Sequence, residues 1–533
     1  MRAFADLLDS LVFTPSRNAK LRLIGEYMGA TPDPERGWAL AALTGGLELQ
    51  TAKPAAIRGL IQERTDPVLF GLSYDYVGDL AETVALTWPG KGGANGPPAL
   101  SEVVDRLRGA LRGQVPDLLA GWLDACDPTE RWALLKLITG GLRVGVSARM
   151  AKMALAERFA VTLEEVEEVW HGVRPPYTEL FGWLDGPHDK PDVDAAPGFR
   201  PLMLSTPLED ADAEKLDLSA YRAEWKWDGI RVQLVARGGE RRLYSRSGDD
   251  IGGAFPEILD AMTFDAILDG ELLVHPADGS GPPYEVAPFN DLQQRLNRKT
   301  VTPKQLREQP AFVRLYDILF EGTEDLRPLP FDARRRRLEA WYARALPAKL
   351  DLSPLVAFET AADLHALRSG SREGVIEGLM LKRGDSAYVS GRPKGPWFKW
   401  KRDPHTADTV LMYAQRGHGK RSSFYSDYTF GAWRRTDAGS EELVPVGKAY
   451  FGFTDEELRQ LDRWIRSNTV NRFGPVREVK PGLVLEVAFD SIARSTRHKS
   501  GVAMRFPRVA HIRWDKPAIE ADRLETLEAL IAE

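Results

Sequence analysis

The chain has 533 residues, 43% of them hydrophobic and 28% charged, with a formal net charge of −6. That length is more than one hydrophobic core serves and predicts about three domains. No apolar run reaches the roughly 20 residues a bilayer crossing takes, the opening MRAFADLLDSLVF has no signal-peptide cleavage pattern, and the one cysteine, Cys126, excludes an internal disulfide or a cysteine-rich zinc site, so the expected location is cytoplasmic.

Up to about residue 185, amphipathic helical spacing runs through KLRLIGEYM, AAIRGLIQERT, SEVVDRLRGALRGQV and RMAKMALAERFA, broken by loops such as WPGKGGANGPP. This predicts an all-α N-terminal domain over 1–195. From Asp185 the stretch DGPHDKPDVDAAPGFRP is rich in proline, glycine and aspartate without periodicity, as a linker would be, and puts a boundary near 195–203. Beyond it AEWKWDGIRVQLVA, RRLYSRSG, AILDGELLV, FVRLYDILF, GLMLKRG and PWFKWKR read as strands with helical pieces between, predicting a mixed α+β domain over 203–403. The remainder, 404–533, contains ADTVLMYAQRG, ELVPVGKAYFGF, GLVLEVAFDSIA and VAHIRWDK with a helical insert at TDEELRQLDRWIRSN, a mix suited to a small β-barrel. The net acidity weighs mildly against nucleic-acid binding, but distribution matters more than the sum. Between Ile492 and Lys516 the chain carries Arg494, Arg497, Lys499, Arg505, Arg508, Arg513 and Lys516 against one acid, Asp515.

Strand alternation in EWKWDGIRVQ puts Glu224, Lys226 and Asp228 on one face and Trp225 and Trp227 on the other. Alone, this reads as a salt-bridged strand surface. In WFKWKRD the same alternation aims Lys399 and Lys401 one way, with Trp397, while Phe398 and Trp400 point the other. AILDGELLV sets Asp269 and Glu271 in an otherwise apolar strand, and VIEGLML opens with Glu377. Acids in buried strands need a partner, either a structural arginine or a cation or ligand.

The order of these pieces, KxDGxR, SRxG, DGE, an aromatic-Asp pair, EG and KxK, is the motif series of the covalent nucleotidyltransferases. The sequence resembles the ATP-dependent DNA ligases, through Lys226-Trp-Asp-Gly-Ile-Arg231, Ser245-Arg246, Asp269-Gly-Glu271, Tyr316-Asp317, Glu377-Gly378 and Lys399-Trp-Lys401. MRFPRVAHIRWDK, from Met504 to Lys516, looks like the last ligase motif, and GDLAETVAL and GLRVGV look like pieces of the family's helical DNA-binding domain. Two departures are Tyr316, where phenylalanine is frequent, and Arg392, which lies about one residue from the usual place of an arginine before the fifth motif.

The resemblance implies a multidomain α+β protein: an all-α DNA-binding domain, an ATP-grasp-like α+β nucleotidyltransferase core and a C-terminal OB-fold barrel. It implies ATP as adenylate donor, Mg²⁺ as cofactor, nicked duplex DNA as substrate and a chain able to work as a monomer. Lys226 becomes the adenylated nucleophile, which must shed a proton before it attacks. Glu224 sits at the adenine, Tyr316 stacks on it, and Arg231, Arg246, Glu271 and Arg392 approach the ribose and phosphates. Lys399 and Lys401 approach the α-phosphate, Glu271 and Glu377 are the metal candidates, and Arg513 and Lys516, with Asp515, align the leaving pyrophosphate. Arg143, Arg149, Arg505 and Arg508 are the candidate DNA contacts. An RNA ligase, a GTP-using capping enzyme and a non-enzymatic nucleic-acid-binding scaffold stay open as alternatives.

Overall fold

The computed structural model describes residues 1–533 except 48, 50–53, 91–95, 112, 141, 192–197, 280, 281, 297, 299, 300, 372–374, 418–424, 437, 438, 451, 496, 497, 532 and 533. Arg497 of the basic stripe, Gly141 of GLRVGV, 91–95 of the WPGKGGANGPP loop and 192–197 of the expected linker therefore lie outside the described residues. The chain divides into two compact units, one formed by 1–166, 173–189 and 404–533, the other by 167–172 and 190–403. Among the described residues no helix is long and apolar enough to cross a membrane.

The N-terminal part of the first unit is helical, and its helix starts are written in the sequence. Asp127 and Glu130 form a reciprocal capping box before Pro128–Ile138, Asp66 caps Pro67–Val77 and Ser147 caps Ala148–Phe159. Helices Arg17–Ala30 and Pro54–Gln62 fall where periodicity places them. SEVVDRLRGALRGQV does not form one helix: Leu100–Gly109 stops, Ala110 is extended, and a new helix runs from Val115 to Ala125. Gly109 and Gly113 supply no helix-forming side chain, and Pro116 fits best in a helix's first turn, so the chain restarts there. Cys126 follows that helix as a buried cap residue. Buried Lys20 donates to the carbonyls of Val144 and Gly145 at 2.8 and 3.1 Å, pinning the GLRVGV turn.

The C-terminal part of this unit is a seven-stranded antiparallel sheet that curls on itself. The long strand His405–Arg416 is shared. Its residues 405–410 pair with Val484–Phe489 and its residues 413–415 with Val476–Val479, while Tyr425–Arg435 lies along its other edge. The interior is apolar, with Leu411, Phe430, Val446, Leu485 and Val487 packed against Leu461 and Ile465 of the helix Asp455–Asn468.

The second unit is built on two sheets. The five-stranded sheet runs Thr206–Pro207, Trp397–Lys401, Ile376–Arg383, Tyr221–Trp227 and Leu355–Val356 in spatial order. The six-stranded sheet runs Glu240–Ser245, Ile230–Arg237, Ala266–Val274, Ala311–Glu321 and Glu324–Asp325, with Leu350–Leu352 parallel to the fourth of these. AEWKWDGIRVQLVA is thus not one strand: it breaks at Asp228-Gly229 and its halves enter different sheets. One face of the six-stranded sheet, with Val232, Leu234, Leu268, Leu272 and Leu315, packs on Leu338 and Trp341 of the helix Phe331–Ala345. From the other face Val235, Ile267 and Leu319 meet Trp397 of the five-stranded sheet. The two sheets therefore face each other, and they carry Glu224, Lys226, Arg231, Glu271, Tyr316, Glu377, Lys399 and Lys401.

Candidate active site

Lys226 lies near the end of the strand Tyr221–Trp227, paired across from Gly378 of the strand Ile376–Arg383. Trp225 packs against the cluster of Tyr221, Ala223, Leu379 and Trp400, and the Trp227 indole bonds Ser353 under the Arg314 guanidinium. The expected two-faced alternation holds as far as Trp227, with Glu224 and Lys226 on the polar face, but Asp228, expected on that face as well, falls beyond the strand at the break before Gly229. Two glycines keep the neighbouring acids close. At Gly229 a Cβ would lie 2.6 Å from the Leu272 carbonyl and 2.8 Å from Glu271 Cγ, so any side chain there would displace Glu271. Gly378 has φ +142°, and a Cβ on it would press into the Trp400 carbonyl and lie 2.8 Å from Lys401 Cα.

The Lys226 amino group pairs with Glu377, whose Oε2 is also 3.4 Å from Lys401 Nζ. One carboxylate therefore stands between two lysines from two strands. Glu271 lies nearby, and burial pushes its carboxyl up to about 8. Lys226 and Arg231 draw it down, while the negative charges of Glu377 and Asp228 add to the rise. The Lys399 ammonium is held below the usual lysine range, first by burial and then by the positive charges of Arg392, Lys226, Arg246 and Lys401. Cations from four segments thus converge on Lys399, and such a concentration is relieved by an anion. Arg246 and Arg392 are exposed side chains and act on Lys399 from outside. Arg392, offset in the sequence pattern, is nonetheless within electrostatic reach.

The two acids of DGE separate into different roles. Asp269 is wholly buried and accepts from Arg231 Nη2 at 2.6 Å, the Tyr388 hydroxyl at 2.6 Å and Gln233 Nε2 at 3.2 Å, a structural knot that aims Arg231. Arg231 also donates to the Met203 carbonyl at 2.6 Å, and its buried Nε has no partner among the described residues. Asp317 pairs with Arg334 at 2.8 Å, both fully buried, so it anchors a helix while its neighbour Tyr316 faces the site. Burial raises the Tyr316 hydroxyl well above its ordinary range.

Sequence reasoning did not single out Lys382 or Arg335. Both contact Glu224, which is 2% exposed: Lys382 Nζ lies 2.5 Å from Oε2 and Arg335 Nη1 lies 3.3 Å from Oε1. The signal in the sequence was Glu224 itself, since a buried acid requires a cation. Lys382 sits in the adjoining strand, two residues along from the register partner Met380.

The other candidates belong to the first unit. Arg513 ends the strand Arg508–Arg513 and pairs with Asp515 at 3.0 Å, Asp408 at 3.6 Å and Glu486 at 3.7 Å, while Lys516 pairs with Asp408 at 2.7 Å. Arg505 and Arg508 flank the exposed Phe506, and Arg508 reaches Asp490 at 3.9 Å. Arg143 is exposed in the GLRVGV turn, and Arg149 is exposed in the first turn of Ala148–Phe159.

With this geometry in view, comparisons with known proteins are specific. Residues 202–401 match the family model described as "ATP dependent DNA ligase domain", and 421–516 match "ATP dependent DNA ligase C terminal region". The chain is similar to a "Probable DNA ligase" of Koribacter versatilis (strain Ellin345), 31% identical over 573 residues that cover 99% of this chain and 96% of that protein. It is also similar to a "DNA ligase" of Thermococcus fumicolans, 30% identical over 423 residues covering 77% of this chain and 73% of the other. The solved structure "Pmar-Lig_Pre." shares the fold, with a TM-score of 0.59 at 17% identity, covering 96% of this chain and 99% of that one. A KxDG lysine between carboxylates, a converging set of cations and matches over nearly the full length all point one way: the chain belongs to the ATP-dependent DNA ligases.

Proposed function

We propose that this ligase seals 5′-phosphate/3′-hydroxyl nicks in duplex DNA by taking AMP from ATP onto Lys226, passing it to the 5′-phosphate and releasing it as the 3′-hydroxyl attacks. The observation that carries this reading is the placement of the Lys226 amine against Glu377, beside the cations gathered around Lys399. Transfer at phosphorus depends mainly on positioning and on neutralising the phosphate oxygens. Lys399, Lys401, Arg246 and Arg392 supply positive charge for the phosphates. Arg231, aimed by Asp269, offers its unpartnered Nε, Tyr316 offers a ring to the adenine and Glu224 an acceptor.

Glu271 and Glu377 would hold Mg²⁺. Both bring hard carboxylate oxygens beside Lys226; burial first, and then the negative charges of Glu377 and Asp228, raise the Glu271 carboxyl, and that negative charge would favour a divalent cation there. Among the described residues no cluster of three or more His, Cys, Asp or Glu could hold a metal; magnesium does not need one, since one or two carboxylates, waters and substrate phosphates suffice. Bound there, it would neutralise phosphate charge.

The same reading assigns 1–195 as a helical DNA-binding domain, 203–403 as the adenylyltransferase domain and 404–533 as an OB-fold domain. Arg513 and Lys516 would align the pyrophosphate, and Arg143, Arg149, Arg505 and Arg508 would meet DNA phosphates. The protein would act as a cytoplasmic monomer. Incubation with Mg²⁺ and ATP labelled in its α-phosphate should leave label on the denatured protein, lose it in Lys226→Ala, and transfer it to nicked DNA. Label from GTP instead, or transfer only to nicked RNA, would contradict the reading.

A further inference from the structure

Arg246 sits on a tight turn whose shape is fixed by its own bonds. Ser245 N–H donates to the Asp249 carbonyl at 2.8 Å, Gly248 N–H donates to the Ser245 carbonyl at 2.9 Å, and Ser245 Oγ lies 2.9 Å from Ser247 Oγ. Gly248 has φ +86°, and a Cβ on it would lie 2.6 Å from Cε1 and 3.0 Å from Nε2 of His171. The imidazole therefore fills the space a side chain would take. His171 follows the helix Leu163–Trp170 and belongs, with 167–172, to the second unit. Its ring centre is 4.9 Å from that of Phe199 and 5.8 Å from that of Tyr244, and those two are 5.7 Å apart, so three rings close on one another beside the turn. Phe199 is buried, and its neighbour Arg200 exchanges two bonds with Gln233: Arg200 N–H donates to Oε1 at 2.6 Å, and Nε2 donates to the Arg200 carbonyl at 3.2 Å. Gln233 in turn donates to Asp269, the acid that aims Arg231. The support for Arg246 is thus continuous with the support for Arg231.

An exposed arginine gives up rotamer freedom when it is fixed on a phosphate, and a loose turn would add backbone freedom to that loss. Holding the turn beforehand removes the second part. We infer that His171 is a positioning residue for Arg246: packed against Phe199, Tyr244 and Gly248, it holds the turn so that the guanidinium is presented to the nucleotide phosphates. The inference rests on the proposed place of Arg246 at those phosphates, which its electrostatic reach to Lys399 supports. His171 touches no reacting atom. It acts by filling the space at Gly248 with a flat ring, which phenylalanine also supplies and alanine does not.

The test is single-turnover self-adenylation of the full chain with ATP and Mg²⁺, run on His171→Ala, His171→Phe, Arg246→Ala and the double variant His171→Ala with Arg246→Ala. His171→Ala should slow the step roughly tenfold, within the range of coupling between residues in contact, and His171→Phe should recover most of that loss. In the Arg246→Ala background, His171→Ala should add less than about twofold, because the group it positions is gone. Should His171→Ala not fold, Gly248→Ala, which pushes on the ring from the turn side, should show the same slowing and the same dependence on Arg246. A folded His171→Ala at the wild-type rate overturns the inference, as does equal slowing with and without Arg246, or a His171→Phe as slow as His171→Ala. If Arg246→Ala slows the step while the His171 variants do not, only the His171 inference falls; if Arg246→Ala leaves the step unchanged, the phosphate reading of Arg246 falls with it.

Discussion

Glu271 shows how a single desolvated carboxyl couples the site to pH. Its folded value of about 8 lies above the ordinary 4.5, so the folded chain keeps a proton that the unfolded chain has released over that interval. Its contribution to stability is therefore full below 4.5 and is lost as pH rises through 8. Glu271→Gln should raise the unfolding temperature of the free protein by an amount that grows from pH 5 to pH 8.5, to several degrees; a pH-independent difference between mutant and wild type would count against this account. Lys399 makes the complementary prediction. Lys399→Ala should slow self-adenylation by roughly 10²- to 10³-fold, the usual cost of removing one preorganised charge-stabilising group, and a rate within threefold of wild type in single-turnover assays would exclude it from the phosphate site. At this scale the sequence was half legible. Lys226, Glu377, Lys399 and Lys401 are picked out by the order of their motifs along the chain, since KxDG alone reads as a salt-bridged strand surface. Asp269 and Glu271 share a strand face in AILDGELLV, and only the register against Arg231 and Gln233 separates the structural acid from the one beside Lys226. Lys382 was hidden in an apolar run because its partner, Glu224, belongs to another strand.

Strand contacts turn these residues into a site. Gly378 lets Ile376–Arg383 lie tight against Trp397–Lys401, which brings Glu377 within reach of Lys401. Gly378→Ala must adopt a positive φ and push on the Trp400 carbonyl. It should weaken self-adenylation at least tenfold in the folded protein, and unchanged kinetics would show that the close approach is not needed. Behind the site, Asp317 and Arg334 tie the strand Ala311–Glu321 to the helix Phe331–Ala345. Asp317→Asn leaves Arg334 buried without its counter-ion and should cost about 3–5 kcal/mol, measurable by urea unfolding; a change below about 1 kcal/mol would mean water or another group takes over. Long periodic elements were readable in advance, as Arg17–Ala30 and Asp455–Asn468 illustrate. The break at Asp228-Gly229 was not, because both halves of AEWKWDGIRVQLVA satisfy the same alternation. Nor were Thr206–Pro207 and Leu355–Val356, which are too short for any period and exist only because a neighbouring edge offers partners.

For the molecule as a whole, the proposed DNA contacts at Arg143 and Arg149 would reconcile a negative net charge with a DNA substrate, and they should report themselves through salt. Reversing Arg143 and Arg149 to glutamate should lower affinity for nicked duplex DNA and reduce the slope of log K against log salt by about 0.9 for each phosphate no longer neutralised, with self-adenylation retained. An unchanged slope would remove Arg143 and Arg149 from the proposed DNA contacts. The barrel-like C-terminal region was legible as a run of strands, but its curl depends on the sharing of His405–Arg416 between two partners, a long-range fact that no local pattern encodes. The central claim, that Lys226 carries the adenylate, is tested most directly by peptide mapping with mass spectrometry after incubation with ATP and Mg²⁺. The account predicts one added adenylate on the peptide containing Glu224-Trp-Lys226-Trp-Asp228, removed on addition of nicked DNA; an adenylate on any other lysine, or none on a folded protein that still seals nicks, would contradict it.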